Sequence, residues 1–190
     1  YGYFMVKDPV TGSEFATRAG NFRVDDNGYL VTSQGYRLQG YNDLGLSTVG
    51  DLRVDAGARP DTASADAKLA AYSITPTGHL KIRLTDSTEY NRGQVLLQSF
   101  SDPQALLKEG NNLYSGLAAA GPLGGADSPT PAPPSTNGLG EIQAGALESS
   151  NVDLTNEFAN LITTQRGFQA SARIITTSDE ILQEVVNLKR

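Results

Sequence analysis

Residues 21–32 read Asn-Phe-Arg-Val-Asp-Asp-Asn-Gly-Tyr-Leu-Val-Thr, two short alternating segments joined through Asp25-Asp26-Asn27-Gly28. An Asn-Gly pair tolerates the positive φ that a tight reversal needs, so this stretch predicts a β-hairpin. The same pattern extends on both sides of it. Apolar and β-branched clusters broken by Gly, Asn, Asp and Pro run from residue 1 to about residue 120. They begin with Tyr3-Phe4-Met5-Val6 and continue through residues 69–74, residues 80–84 after the turn Thr75-Pro76-Thr77-Gly78, and residues 94–100. Ser101-Asp102-Pro103 is placed to cap a short helical turn through Ala105-Leu106-Leu107. Residues 42–66 hold few large apolar side chains and read as a loop or weak strand region. The expected fold class is mainly β: a core domain over residues 1–120, built of short antiparallel strands and hairpins, plus one long C-terminal helix.

Residues 121–138 carry five prolines and four glycines, which describes an extended, poorly packed connector. Over residues 139–150, Glu141-Ile142-Gln143 and Ala146-Leu147-Glu148 read as short β segments returning to the core. From residue 151 to residue 190 there is no proline, the charges are interspersed, and Asn151 or Asp153 supplies a cap, so one helix is predicted to the end.

That helix is of coiled-coil type. Starting at Leu154, steps of four and three residues select Leu154, Phe158, Leu161, Gln165, Phe168, Ala172, Ile175, Asp179, Leu182, Val186 and Lys189, and eight of these eleven are apolar. A helix of ~37 residues is ~55 Å long, more than a small β-domain covers. Each buried Leu, Ile or Phe contributes roughly 1.5–3 kcal/mol, so ordinary packing against the chain's own core does not account for a stripe of this length. Leu154, Phe158, Leu161, Ile162, Gln165, Phe168, Ala172, Ile175, Leu182 and Val186 are therefore the expected assembly interface. Ile162, Ile174, Ile181, Val185 and Leu188 lie beside the seam and imply more than one neighbour. Gly167, ~1 kcal/mol worse than Ala inside a helix, suits a close backbone neighbour or marks a local weakness.

Composition narrows the function. Fifteen basic against 21 acidic residues leave a net charge of −6, which offers nucleic acid or an anionic membrane no positive field. Cysteine is absent, removing disulfides, thiolate metal sites and a Cys nucleophile. No apolar run reaches the ~18 residues of a membrane span. The start at Tyr1, already in strand-like sequence, reads as a fragment or processed product. His79 stands beside Gly78 without a second His or Cys and reads as a surface histidine at a turn. Asp25-Asp26-Asn27-Gly28 lacks the spacing and distal Glu of a calcium loop. The carboxylates are scattered, and Arg166 and Arg173 on one helical face read as a solvated flank. No catalytic, metal or cofactor residue is expected, and no enzyme.

Several blocks in order resemble one family. Gly2-Tyr3-Phe4-Met5-Val6, Phe15-Ala16-Thr17-Arg18-Ala19-Gly20-Asn21-Phe22 and Asp26-Asn27-Gly28-Tyr29-Leu30-Val31 resemble the core-domain entry of bacterial flagellar hook and basal-body rod proteins. Gly110-Asn111-Asn112-Leu113-Tyr114 is similar to the segment before their C-terminal region. Residues 145–154, Gln165-Arg166-Gly167-Phe168-Gln169-Ala170 and Asp179-Glu180-Ile181-Leu182 are similar to their C-terminal helix signature. The resemblance implies a subunit exported through the flagellar type III apparatus and stacked helically with copies of itself into a hollow tube that transmits motor torque. It also implies neighbouring rod, hook or junction proteins, a capping protein, and an N-terminal helix, here absent before Tyr1, that pairs with the C-terminal one. Gly35-Tyr36-Arg37-Leu38-Gln39-Gly40-Tyr41 and Val152-Asp153-Leu154-Thr155 lean toward a hook protein, while the short stretch between Tyr41 and Leu69, where large hook proteins insert an outer domain, suits a distal rod protein or a minimal hook; of the two, the resemblance favours hook. The competing reading is an exported, non-enzymatic binding or scaffold module that uses the β-domain alone.

Overall fold

The computed structural model describes residues 2–57, 59–124, 130–146, 148 and 152–188. The chain divides into two units, Tyr1–Leu147 and Glu148–Arg190. The first holds twelve strands: β1 (Tyr3–Lys7), β2 (Glu14–Thr17), β3 (Arg23–Val24), β4 (Leu30–Val31), β5 (Arg37–Tyr41), β6 (Val49–Asp51), β7 (Leu69–Ile74), β8 (His79–Leu84), β9 (Glu89–Val95), β10 (Leu97–Gln98), β11 (Leu107–Gly110) and β12 (Leu113–Ser115). Among the described residues the second holds one helix, α1 (Leu154–Leu188).

All strand pairings are antiparallel, in the order β11-β12-β2-β1-β5-β9-β8-β7, with β10 on β1, β4 and β6 on β5, and β3 on β4. Period-two alternation explains how this sheet is buried on both sides. Tyr3 and Met5 of β1 point into a smaller core with Ala16, Phe100, Leu106, Leu117 and Ala120. Phe4 and Val6, one residue out of phase, point into the larger core with Leu30, Leu38, Leu52, Val54, Leu80, Ile82, Leu84, Val95 and Leu113. β2 and β12 divide in the same way, Phe15 and Leu113 toward the larger core, Ala16 and Tyr114 toward the smaller. Rings lock both layers: Tyr3 meets Phe100 and Tyr114 edge-on at 5.5 and 5.7 Å, and Phe4 meets Phe22 at 5.2 Å.

β5 is the hub. Its Arg37 end pairs with β1 and β4 and its Gly40-Tyr41 end with β6 and β9. Asp51 of β6 accepts from Arg37 at 2.8 Å and from Gln39 Nε2 at 2.7 Å, fixing that register with a charge-assisted pair. In the β5–β6 turn the Asp43 carboxylate titrates at about 2, lowered from 3.8 by the donating amide of Thr48 and the hydroxyl and amide of Ser47.

Three sequence expectations are corrected, and a fourth is borne out with an addition. The hairpin at residues 21–32 forms, but only Gly28 takes positive φ (85°) and Asn27 does not. The Asp25 carboxylate receives the amides of Asn27 and Tyr29, at 3.0 and 2.7 Å, so Asp25 rather than Asn27 sets the turn. The described part of residues 42–66 is loop with the short strand β6, as expected, but its Leu52 and Val54 lie in the larger core. Among the described residues the proline-rich connector is held at points rather than loose, because proline rings are apolar and need no donor. Leu97 and Ala132 exchange amide bonds at 2.9 and 2.8 Å, Leu123 N donates to Ser99 O at 2.9 Å, and Pro134 is fully buried. Finally, no strand forms over residues 139–146; Leu139 is buried, and Ile142 rests on the larger core and donates its amide to Pro76 O at 2.9 Å. Leu147 of the second expected segment lies outside the described residues.

Candidate assembly surface

α1 is defined first by its cap. The Asp153 carboxylate receives the Thr155 amide at 2.8 Å and the Asn156 side chain at 3.0 Å, and its carbonyl receives the Glu157 amide at 3.1 Å. Asn151, the alternative cap, lies outside the described residues. The 35 residues that follow contain no proline. Thr163, Ser171 and Thr177 fold their hydroxyls onto the carbonyls of Ala159, Gly167 and Arg173, so those polar groups need no outside partner.

No described residue of α1 is buried. The structure places Leu154, Phe158, Leu161, Ile162, Gln165, Phe168, Ala172, Ile175, Leu182 and Val186 on this helix, all exposed; among the large apolar ones exposure runs from 50% for Ile162 to 77% for Phe168. In the β-unit side chains of this kind form the core, whereas on α1 they are exposed. Arg166 and Arg173 are exposed as well, and among the described residues neither is in an ion pair.

Gly167 is a clean probe of this helix, since a Cβ built there meets nothing within 4 Å. Gly167→Ala is expected to stabilise α1 in the free chain by ~1 kcal/mol, read as a rise in helix content by circular dichroism. An unchanged or lower helix content would mean that Gly167 is not in an open helical position.

The β-unit's polar groups are spent on structure. Asp25 is committed to its turn amides, and Asp55 bridges Arg92 at 2.8 Å and Arg53 at 3.0 Å. His79 is half-buried rather than superficial, with Nδ1 enclosed and unpartnered.

Two family models match the chain: the flagellar hook protein FlgE/F/G D1 domain over residues 1–82, and the flagellar basal body rod FlgEFG protein C-terminal region over residues 143–188. The flagellar basal-body rod protein FlgG of Bacillus subtilis (strain 168) is 38% identical over 189 residues, which is 100% of this chain and 62% of that protein. The chain belongs to the flagellar hook and basal-body rod protein family. Within this family the hook proteins FlgE of Borreliella burgdorferi and Salmonella typhimurium are 39% and 35% identical to it, but over only 62% and 64% of the chain and 25% and 28% of their own lengths. The chain thus spans under two thirds of these relatives. Hook and rod family proteins are structural components rather than enzymes. The two matched stretches take in β1 to β7, most of β8, and α1, which carries the exposed seam.

Proposed function

We propose that this chain is a structural subunit of the flagellar axial tube, of distal-rod type, exported and stacked helically with copies of itself. The observation that carries this reading is α1: 35 residues of helix with a seam of exposed Leu, Ile, Phe and Val and no buried position. Such a surface is stable only when other helices cover it, and a repeating assembly supplies them. The seam residues are then a coiled-coil-type interface. Torque transmission, type III export, contacts with neighbouring rod, hook or junction proteins and a capping protein belong to the same proposal. Relatives named for the rod align along the whole chain, those named for the hook along under two thirds of it, which favours rod over hook.

The chain's lack of cysteine permits a direct test. Val10, 89% exposed at the β1–β2 turn, can be replaced by Cys and labelled with maleimide-gold in isolated hook–basal bodies, with unaltered hook–basal bodies labelled as the control. Label on the rod is the expected result. Label on the hook would transfer the chain to the hook, and an unlabelled axial structure would overturn the assignment.

A further inference from the structure

The main strand order ends on β11 at one side and on β7 at the other, and the two edges differ. β11 is four residues long, carries Lys108 and Glu109, and shifts register between Lys108 and Gly110. Short length, charge and a bulge are devices that keep a free edge from pairing with other chains. β7 reads Leu69-Ala70-Ala71-Tyr72-Ser73-Ile74, six residues without charge or proline, and its irregularity lies at its start, between Leu69 and Ala71. The Thr75 amide donates to His79 O at 3.0 Å, which makes these two a hydrogen-bonded pair of the hairpin. Alternation along the ladder then commits the backbone of Ser73 and Ala71 to β8 and turns that of Tyr72 and Ile74 outward. Among the described residues no strand pairs with them there.

The face beside this edge is basic. In register, Ala71 lies next to Arg83 and Ser73 next to Lys81, with Glu89 and Asn91 of β9 on the far side. Lys81 and Arg83 are exposed, and among the described residues neither makes an ion pair, not even Arg83 with its cross-strand partner Glu89. Asp86, in the neighbouring turn, is committed to the amides of Ser64 and Thr88. A shallow hollow of about 230 Å³ lies among Tyr72, Ser73, Lys81 and Arg83. We propose that β7 receives an extended segment of another protein as an added strand, and that this segment alternates acidic with apolar residues. An added strand would lie ~5 Å beyond β7 and ~10 Å from β8. Ala71 and Ser73 are too small to screen that gap, so carboxylates two residues apart on the added strand can meet Lys81 and Arg83. The residue between those carboxylates falls on the other face, beside Tyr72, which is 44% exposed on the face it shares with the buried Ile82, and an apolar side chain there covers the ring. Main-chain bonds to the edge supply affinity and the alternating side chains select the sequence. This site uses no residue of α1, so it stands apart from the axial assignment.

Fluorescence anisotropy on the 190-residue chain tests this with a labelled heptapeptide of alternating valine and glutamate. Binding is expected, and it should weaken as salt is added. The matching valine–lysine peptide should bind at least about 10-fold more weakly, and the glutamate peptide N-methylated at every backbone amide should not bind. The double variant Lys81→Glu with Arg83→Glu should reverse the preference between the two peptides, with its circular dichroism unchanged. No binding of the glutamate peptide, equal binding of both peptides, or binding that survives N-methylation would overturn the proposal. So would a folded double variant that keeps the original preference. The peptide comparisons use the unaltered chain and decide the matter even where the double variant does not fold.

Discussion

Gly40→Ala is expected to destabilise the β-unit by ~3 kcal/mol or more, a large part of the ~5–15 kcal/mol that holds a domain folded. A Cβ at Gly40 would lie 2.3 Å from Gln94 O and 2.8 Å from Leu52 Cδ1. One at Gly93, on the partner strand, would lie 2.2 Å from Tyr41 O and 3.1 Å from Leu52 Cδ2. The two glycines lie diagonally across β5 and β9, where Gly40 pairs with Val95 and Tyr41 with Gln94, and both approach the fully buried Leu52. Backbone carbonyls at those distances cannot rotate aside as the end of a side chain can, so the strands must separate, and Leu52 loses its seat. Urea unfolding followed by circular dichroism measures the change. Gly20→Ala is the control, since its Cβ would only touch Phe4 at an ordinary 3.8 Å. Equal midpoints for the two variants would show that β5 and β9 are not so closely joined.

The same residues show which parts of the fold were legible. Strands whose side chains alternate between core and solvent, such as β8 with Leu80, Ile82 and Leu84 inside and Lys81 and Arg83 outside, announce themselves in sequence. β5 does not: Arg37-Leu38-Gln39-Gly40-Tyr41 carries one aliphatic side chain, and its importance comes from close backbone approach, which a glycine permits but does not advertise. Leu52 and Val54 were hidden for a related reason, being isolated apolar residues in a stretch rich in Gly, Asp and Ala whose depth is set by strands far away in sequence. The connector was misread because proline content signals extension and says nothing about what the rings touch. α1 was legible almost to the residue, since capping, absence of proline and a steady period are all local properties.

Phe168→Asp is expected to abolish assembly while leaving the β-unit folded. Phe168 is 77% exposed in the isolated chain and Leu161, one heptad earlier, is similarly bare, so a charge at either position costs the free subunit little. In an assembly that covers the stripe, the new carboxylate is buried without a partner, at a penalty of ~3 kcal/mol or more for each subunit. That is ~100-fold or more in every contact, repeated at each added copy. Cells whose gene carries Phe168→Asp or Leu161→Asp should therefore fail to swim and show axial structures truncated by electron microscopy, with urea unfolding of the β-structure in the purified variant chain unchanged. Asn160→Asp, off the stripe, should assemble. Because the stripe and the β-core are separate surfaces in this chain, loss of β-structure in parallel with loss of assembly would remove the case for α1 as the assembly element. Normal tubes from Phe168→Asp subunits would place the contacts that build the tube on the β-unit instead.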